Sequence, residues 1–243
     1  MELPEIDERD FKDLREHLSK HNIPMNKYRK GVGDGRSQCF GMVRKRSMAP
    51  DLSRNSWFDP RLHYLLMLFA RQHVQIPFTS VQVNDNFPCA THRDKHNQGE
   101  SYIVAFGDFV GGELVLDGKE HNIRHRPILF NGSEINHSVK PFIGRRWSIV
   151  YHTIESPAKF PMIRKLSDYE AVCRDGQYVI AWYRDGEPTQ YLSKKNGLVH
   201  PLKGRKIKKL PEAPEKLNSK MTAAQNLLLS AQSVAAQSMR MDS

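Results

Sequence analysis

The chain has 243 residues and a formal net charge of +10, with 39% hydrophobic and 26% charged residues. This is an ordinary globular balance, long enough for one sizeable domain with a buried core. No run of eighteen apolar residues occurs, which excludes an apolar membrane-spanning helix, and the three widely spaced cysteines, Cys39, Cys89 and Cys173, form no CxxC, which excludes a disulfide framework and a cysteine-built zinc site.

In chain order, residues 1–77 read as a helical support region. Met1 to Asp7 lacks the basic and apolar parts of a secretory signal, so an intracellular location is expected. Asp7 is placed to cap a helix in which Phe11, Leu14 and Leu18 recur at helical spacing. Asp59-Pro60 opens a second helix with Leu62, Leu65, Leu66 and Phe69 on one face. Between them, Gly31 to Arg36 is glycine-rich but lacks the lysine of a phosphate cradle, so it reads as a mobile loop.

Residues 78–155 change to short strand-like runs: Thr79 to Val83, Ser101 to Phe106, Glu113 to Asp117, Arg126 to Phe130 and Trp147 to Thr153. Asn84-Asp85-Asn86, Gly111-Gly112, Asp117-Gly118 and Asn131-Gly132 punctuate them. Many short strands with no helices between them predict an antiparallel sandwich or jelly roll. Residues 156–202 extend this domain, with a strand at Tyr178 to Trp182 and turns at Asp175-Gly176 and Asp185-Gly186. Residues 203–243 form a basic linker, with five basic residues among Lys203 to Lys209, and a terminal helix that Ser219 could cap. They carry half of the charge excess; the basic run fits nuclear import, polyanion contact or a solvated linker. The fold expected is mainly β with flanking helices: a jelly-roll core braced by N-terminal helices, plus a basic C-terminal tail.

Within the core, His92 and Asp94 share a face if they lie on one strand or its end, and His137, 43 residues beyond Asp94, has room to return on another strand. Two neutral nitrogens and one anionic oxygen suit Fe(II) and leave three coordination positions open. Nine positions after His137 comes Arg146, with Ser148 two further on along the same face; Arg145 alternates to the other face and reads as surface. A buried arginine there would bind a carboxylate bidentately. Trp57, Trp147 and Trp182 read as core or pocket-wall aromatics, and His121 and His125 as surface, with no third ligand beside them.

The ordered set, HxD, a distal histidine and RxS, resembles the Fe(II)/2-oxoglutarate-dependent dioxygenase superfamily over roughly residues 78 to 153. Gly111-Gly112-Glu113-Leu114 is similar to a turn of its prolyl-hydroxylase-like members. The resemblance implies a double-stranded β-helix in which His92, Asp94 and His137 hold Fe(II). 2-Oxoglutarate would chelate the iron through its keto acid end, with Arg146 and Ser148 anchoring the far carboxylate and O₂ as co-substrate. Asn84 or Tyr102 would add a hydrogen bond to the co-substrate.

His92-Arg93-Asp94-Lys95-His96-Asn97 further resembles the HRDxHN segment of the TET/JBP oxygenases, which oxidise the methyl of 5-methylcytosine or thymine. This implies that Asn97, with His96, reads a base extruded from the helix, while Arg93 or Lys95 contacts flanking phosphates, unless the segment is a solvated loop. The chain departs from TET proteins in its shorter spacing from distal histidine to arginine and in having no large cysteine-rich region. The expectation is an oxygenase acting on a modified nucleobase methyl, in DNA ahead of RNA and in the nucleus ahead of the cytoplasm. A prolyl-type protein hydroxylase or a small-molecule oxygenase is the alternative.

Overall fold

Side-chain caps start the helices. In the computed structural model, which describes residues 1–25, 35–45, 48–154, 165–174, 177–184, 187–195 and 198–201, Asp7 accepts from the Arg9 backbone N–H and opens a short 3₁₀ turn, Glu8–Phe11, that runs into α1, Lys12–Lys20. Ser53 caps α2, Arg54–Phe58, and Asp59 caps α3, Pro60–His73, by accepting from the Leu62 N–H. Pro60 takes a first-turn position where a missing N–H costs nothing. The stripes foreseen on α1 and α3 are buried, Phe11, Leu18, Leu62 and Leu66 completely.

The strands are β1 Arg36–Lys45, β2 Met48–Leu52, β3 Ser80–Asp85, β4 Asn97–Gly111, β5 Leu114–Leu116, β6 Lys119–His121, β7 Ile128–Phe130, β8 His137–Val139, β9 Phe142–Ile154, β10 Tyr169–Arg174, β11 Gln177–Arg184, β12 Glu187–Lys195 and β13 Leu198–Pro201. A six-stranded antiparallel sheet runs β2-β1-β3-β9-β4-β7, and a three-stranded sheet runs β6-β5-β8. Between the two lie Ile103, Ala105, Phe109, Leu114, Ile128 and Phe130. The other face of the large sheet packs on α1 and α3 through Val81, Tyr102, Val104, Phe106, Trp147, Ile149 and Tyr151. This is the β-sandwich, or jelly roll, with N-terminal helices that the strand pattern predicts. No helix among the described residues is long and apolar enough to cross a membrane.

Three expectations change. Residues 1–77 are not helical throughout: β1 and β2 extend the large sheet, with Phe40 opposite Val81 and Met42 opposite Leu52. Ser37-Gln38-Cys39 offers no β-branched side chain, so the pairing with β3 makes it a strand. Residues 169–201 hold a four-stranded meander, β10 to β13, where one strand was read. Its Tyr169, Ala171 and Ile180 pack with Met42 and Leu52. His121 and His125 are not simply surface: the His121 side chain is 12% exposed with Nδ1 3.5 Å from Glu2, and the His125 ring stacks on Phe11 at 5.0 Å.

The first compact unit spans Met1–Leu202, so the segment 78–155 is continuous in packing with what flanks it. Residues 31–34 of the glycine-rich loop, Asp175-Gly176, Asp185-Gly186, the basic run Lys203 to Lys209 and the helix that Ser219 could cap lie outside the described residues.

Candidate active site

Antiparallel pairing brings the two histidines together. His92, just before β4, and His137, at the start of β8, form an isolated bridge in which each backbone N–H donates to the other's carbonyl at 3.0 Å. Their rings are therefore neighbours, with centroids 4.2 Å apart. Asp94 is held beside them by its own N–H, which donates to the Gly132 carbonyl at 2.8 Å. Its two oxygens take one ring each: His92 Nε2 lies 3.5 Å from Oδ1 and His137 Nε2 3.6 Å from Oδ2.

The other ring nitrogens are already used. His92 Nδ1 donates to the Ala90 carbonyl at 2.9 Å and His137 Nδ1 to the Ile135 carbonyl at 3.0 Å. Both Nε2 atoms are thereby aimed at the cluster centre, the orientation that metal-ligating histidines need. Ligands ~2.1 Å from a common cation lie about 3.0–3.4 Å apart, close to the separations seen. The cluster also attracts positive charge. Burial opposes protonation of His92, yet hydrogen bonds with Asp94 and Cys89 outweigh it and push the group up to about 10. A cation held by the three residues would take the place of that proton. His92, Asp94 and His137 thus fit Fe(II).

Arg146 on β9 is 1% exposed. Its guanidinium lies over Phe142 and Phe109, 5.4 and 5.5 Å from the ring centroids, and its Nε and Nη2 have no hydrogen-bond partner. Burial pulls it down to about 10, which leaves it charged at neutral pH. A buried guanidinium with idle donors calls for an anion, and a carboxylate matches its fork. Ser148, two residues on, accepts from Asn84 Nδ2 at 3.2 Å, and Asn84 Oδ1 is itself buried without a partner. Cys89 adjoins the cluster, with its Sγ 3.4 Å from His92 Nδ1.

Gly112 explains the glycine pair before β5. At φ +74° it lies so close to Arg146 that a Cβ would sit 2.9 Å from Nε and 3.0 Å from Cδ. Arg145 turns the other way, 47% exposed, with Nη2 2.9 Å from the buried Asp85 carboxylate.

Tyr102 is not brought to this site. It pairs with Tyr151 across β4 and β9 and belongs to the core facing the helices, whereas Ala105, opposite Ser148, faces the interior. The period of two along β4 sends Tyr102 to the wrong side. Asn97 adjoins the metal site: its N–H donates to the Asp94 carbonyl at 2.9 Å and its Nδ2 reaches Asp94 Oδ2 at 3.5 Å. Arg93 is exposed and donates from Nε to Asn136 Oδ1 at 3.0 Å; Lys95 and His96 are exposed in the turn that follows. The sequence reading missed Cys89, Phe109, Phe142 and Asn86, whose Oδ1 accepts from the Arg146 N–H at 2.7 Å. Asn86 was marked only as a turn residue, and nothing local names its partner sixty positions away.

The fold is that of the 2-oxoglutarate-Fe(II) oxygenases. NgTET1 in complex with 5mC DNA superposes with a TM-score of 0.51 at 15% identity, over 68% of this chain and 75% of that one. An oxidoreductase of the 2OG-Fe(II) oxygenase family from Burkholderia pseudomallei gives 0.42 at 19% identity, over 57% and 76%. A Pseudomonas putida prolyl-4-hydroxylase gives 0.40 at 15%, over 64% and 91%. No family model and no curated protein matches the sequence.

Proposed function

We propose that the chain is an Fe(II)- and 2-oxoglutarate-dependent dioxygenase that oxidises the methyl group of a modified nucleobase, 5-methylcytosine or thymine, in DNA ahead of RNA. The observation that carries the reaction type is the pairing of a His92–Asp94–His137 cluster with the buried, unpartnered guanidinium of Arg146. Bound iron with 2-oxoglutarate and O₂ supplies the oxidising chemistry, decarboxylation of the co-substrate coupled to attack on a C–H bond. The residues of the chain position and exclude. His92 and His137 present Nε2, and Asp94 supplies the anionic oxygen. Arg146 would hold the far carboxylate and the Ser148 hydroxyl would donate to it, with Phe109 and Phe142, which flank the guanidinium, keeping water from that pair and so strengthening it.

For the substrate, support comes from the HRDxHN string and from the fold shared with NgTET1, a structure that contains 5mC DNA. The exposed Arg93 and Lys95 beside the metal ligands suit phosphate contact. Asn97, tied to Asp94, would read an extruded base, with the exposed His96 next to it. The basic run Lys203 to Lys209 supports the same reading and a nuclear location. In the glycine pair that resembles prolyl hydroxylases, Gly112 packs on Arg146 and Gly111 on the Pro141 carbonyl, so Gly112 bears on co-substrate rather than peptide.

The test is succinate release with Fe(II) and 2-oxoglutarate against methylated oligonucleotides and proline-containing peptides, with mass spectrometry of the products. Stimulation by oligonucleotides carrying 5-methylcytosine or thymine, with a mass gain of one oxygen on the base, is expected. Stimulation by peptides alone would reassign the substrate, and no succinate at all would remove the enzyme reading.

A further inference from the structure

A second cluster of ligand-type side chains lies on the helical side, apart from the site above. His17 lies on the last turn of α1 and His21 is the residue that caps its C-terminal end; the His21 N–H donates to the His17 carbonyl at 2.9 Å and the two rings stack with centroids 5.7 Å apart, so both leave the same side. That face meets Asp59, the residue that caps α3. His17 Nε2 lies 2.7 Å and His21 Nδ1 2.8 Å from the same oxygen, Asp59 Oδ2. The other oxygen, Oδ1, is occupied by the Leu62 N–H at 2.9 Å. One carboxylate oxygen is thus reserved for the two imidazoles.

We infer that His17, His21 and Asp59 form a second metal site, one that takes a divalent transition ion such as Zn²⁺ and clamps α1 to the start of α3. Two imidazole nitrogens and one carboxylate oxygen are a donor set that zinc accepts, with water completing a tetrahedron. The three ligand atoms lie within 4.8 Å of one another, as those of the His92–Asp94–His137 cluster do. An outer contact orients one ring: His21 Nε2 lies 3.1 Å from Gln38 Oε1 on β1, which points Nδ1 inward. The side chains are 16%, 23% and 12% exposed for His17, His21 and Asp59, dry enough to favour coordination and open enough for an ion to enter.

Asp59 is ready as the anionic ligand. Its Oδ2 already faces both imidazoles while the Leu62 N–H fixes Oδ1, so the carboxylate is oriented toward the two rings. Ligands of a tetrahedral zinc are about 3.3 Å apart, so each ring must withdraw by roughly 0.5 Å and exchange its inward N–H for the metal. Rotation about the χ angles of two partly exposed histidines supplies that movement.

Zinc titration of the untagged, chelator-treated full chain, read by calorimetry and by thermal melting, tests this. The wild type should bind two equivalents. Asp94→Ala should keep one, together with a zinc-dependent rise in Tm of a few degrees, because an ion bound only by the folded state stabilises it. His17→Gln and His21→Gln, each added to Asp94→Ala, should weaken the remaining equivalent at least tenfold and remove the rise in Tm. Glutamine keeps an N–H able to reach Asp59, so these variants should fold, which circular dichroism checks. If Asp94→Ala binds no zinc, or if it keeps its equivalent with both histidines replaced, the site is a hydrogen-bonded His–Asp–His staple and the proposal fails.

Discussion

The two faces of β9 make opposite use of the same strand. Toward the helices, Trp147, Ile149 and Tyr151 pack with Phe11, Phe69 and Phe106, and Tyr151 donates its hydroxyl to the Leu66 carbonyl at 2.8 Å. Toward the sandwich interior, Arg146 and Ser148 bury a full charge and a hydroxyl. Both faces hold unpartnered buried atoms, but on the helical face Tyr102 OH and Trp147 Nε1 are neutral and the Asp85 carboxylate has Arg145 at its other oxygen, whereas Arg146 is charged with both Nε and Nη2 idle. A neutral orphan costs about 1–3 kcal/mol, and a buried charge with its donors idle costs several. The helical face spends its side chains on stability; the interior face gives up stability and keeps donors that an anion can use.

Metal removal tests the interior face most severely. Asp94→Ala should abolish iron binding at this cluster and all succinate release, because the remaining histidines supply no anionic ligand; iron-dependent turnover in that variant would break the assignment. Phe11→Ala should be the largest effect on the helical face. Its ring is fully buried and stacked on Phe106 at 4.9 Å and beside Phe69 at 5.2 Å, so urea denaturation should show a loss of about 3–5 kcal/mol. The KM for 2-oxoglutarate of the folded fraction should not change. A shift in KM would mean that the two faces are not independent.

Arg146→Met sharpens the contrast from the other side. It keeps the apolar stem between Phe109 and Phe142 and removes the charge. KM for 2-oxoglutarate should rise by the ~2–5 kcal/mol of a buried charge pair, roughly 30-fold to several thousand-fold, while Tm holds or rises. Arg145→Met should do the reverse, leaving KM unchanged and lowering stability by about 1 kcal/mol through loss of the Asp85 pair. Gly112→Ala should be milder than Arg146→Met: a left-handed alanine costs about 1–2 kcal/mol. Its Cβ would also displace the Arg146 Nε, so KM should rise with the loss of stability.

What was legible in advance follows from how local each signal is. Asp7 and Asp59-Pro60 are caps that act within three residues, and both helices begin where those residues place them. The alternating apolar positions of β9 predict a strand and put Arg146 and Arg145 on opposite faces, as their exposures show. The rest depends on register between distant segments. β1 is a strand because β3 pairs with it, and Asn86 meets the Arg146 N–H because β3 pairs with β9. His17, His21 and Asp59 converge from two helices whose crossing no pattern within either specifies. Tyr102 is the instructive miss. Proximity along β4 to interior residues suggested a co-substrate contact, but facing is decided by parity, and parity needs the register of the pair.

That parity gives the smallest and most selective test. Tyr102→Phe removes a hydroxyl that is buried, unpartnered and, through burial, held well above the usual tyrosine range. On the helical face this should be almost silent: KM for 2-oxoglutarate unchanged, and stability the same or higher by up to ~1 kcal/mol, because an idle polar group has left an apolar core. The ring would keep its edge-to-face contact with Tyr151 at 5.9 Å. Asn84→Ala, one strand away on the interior face, should raise KM, since the Ser148 hydroxyl then loses the amide that orients it. If Tyr102→Phe raised KM as much as Asn84→Ala does, the hydroxyl would have to reach the co-substrate. The division of β4 and β9 into a structural face and a binding face would then be wrong.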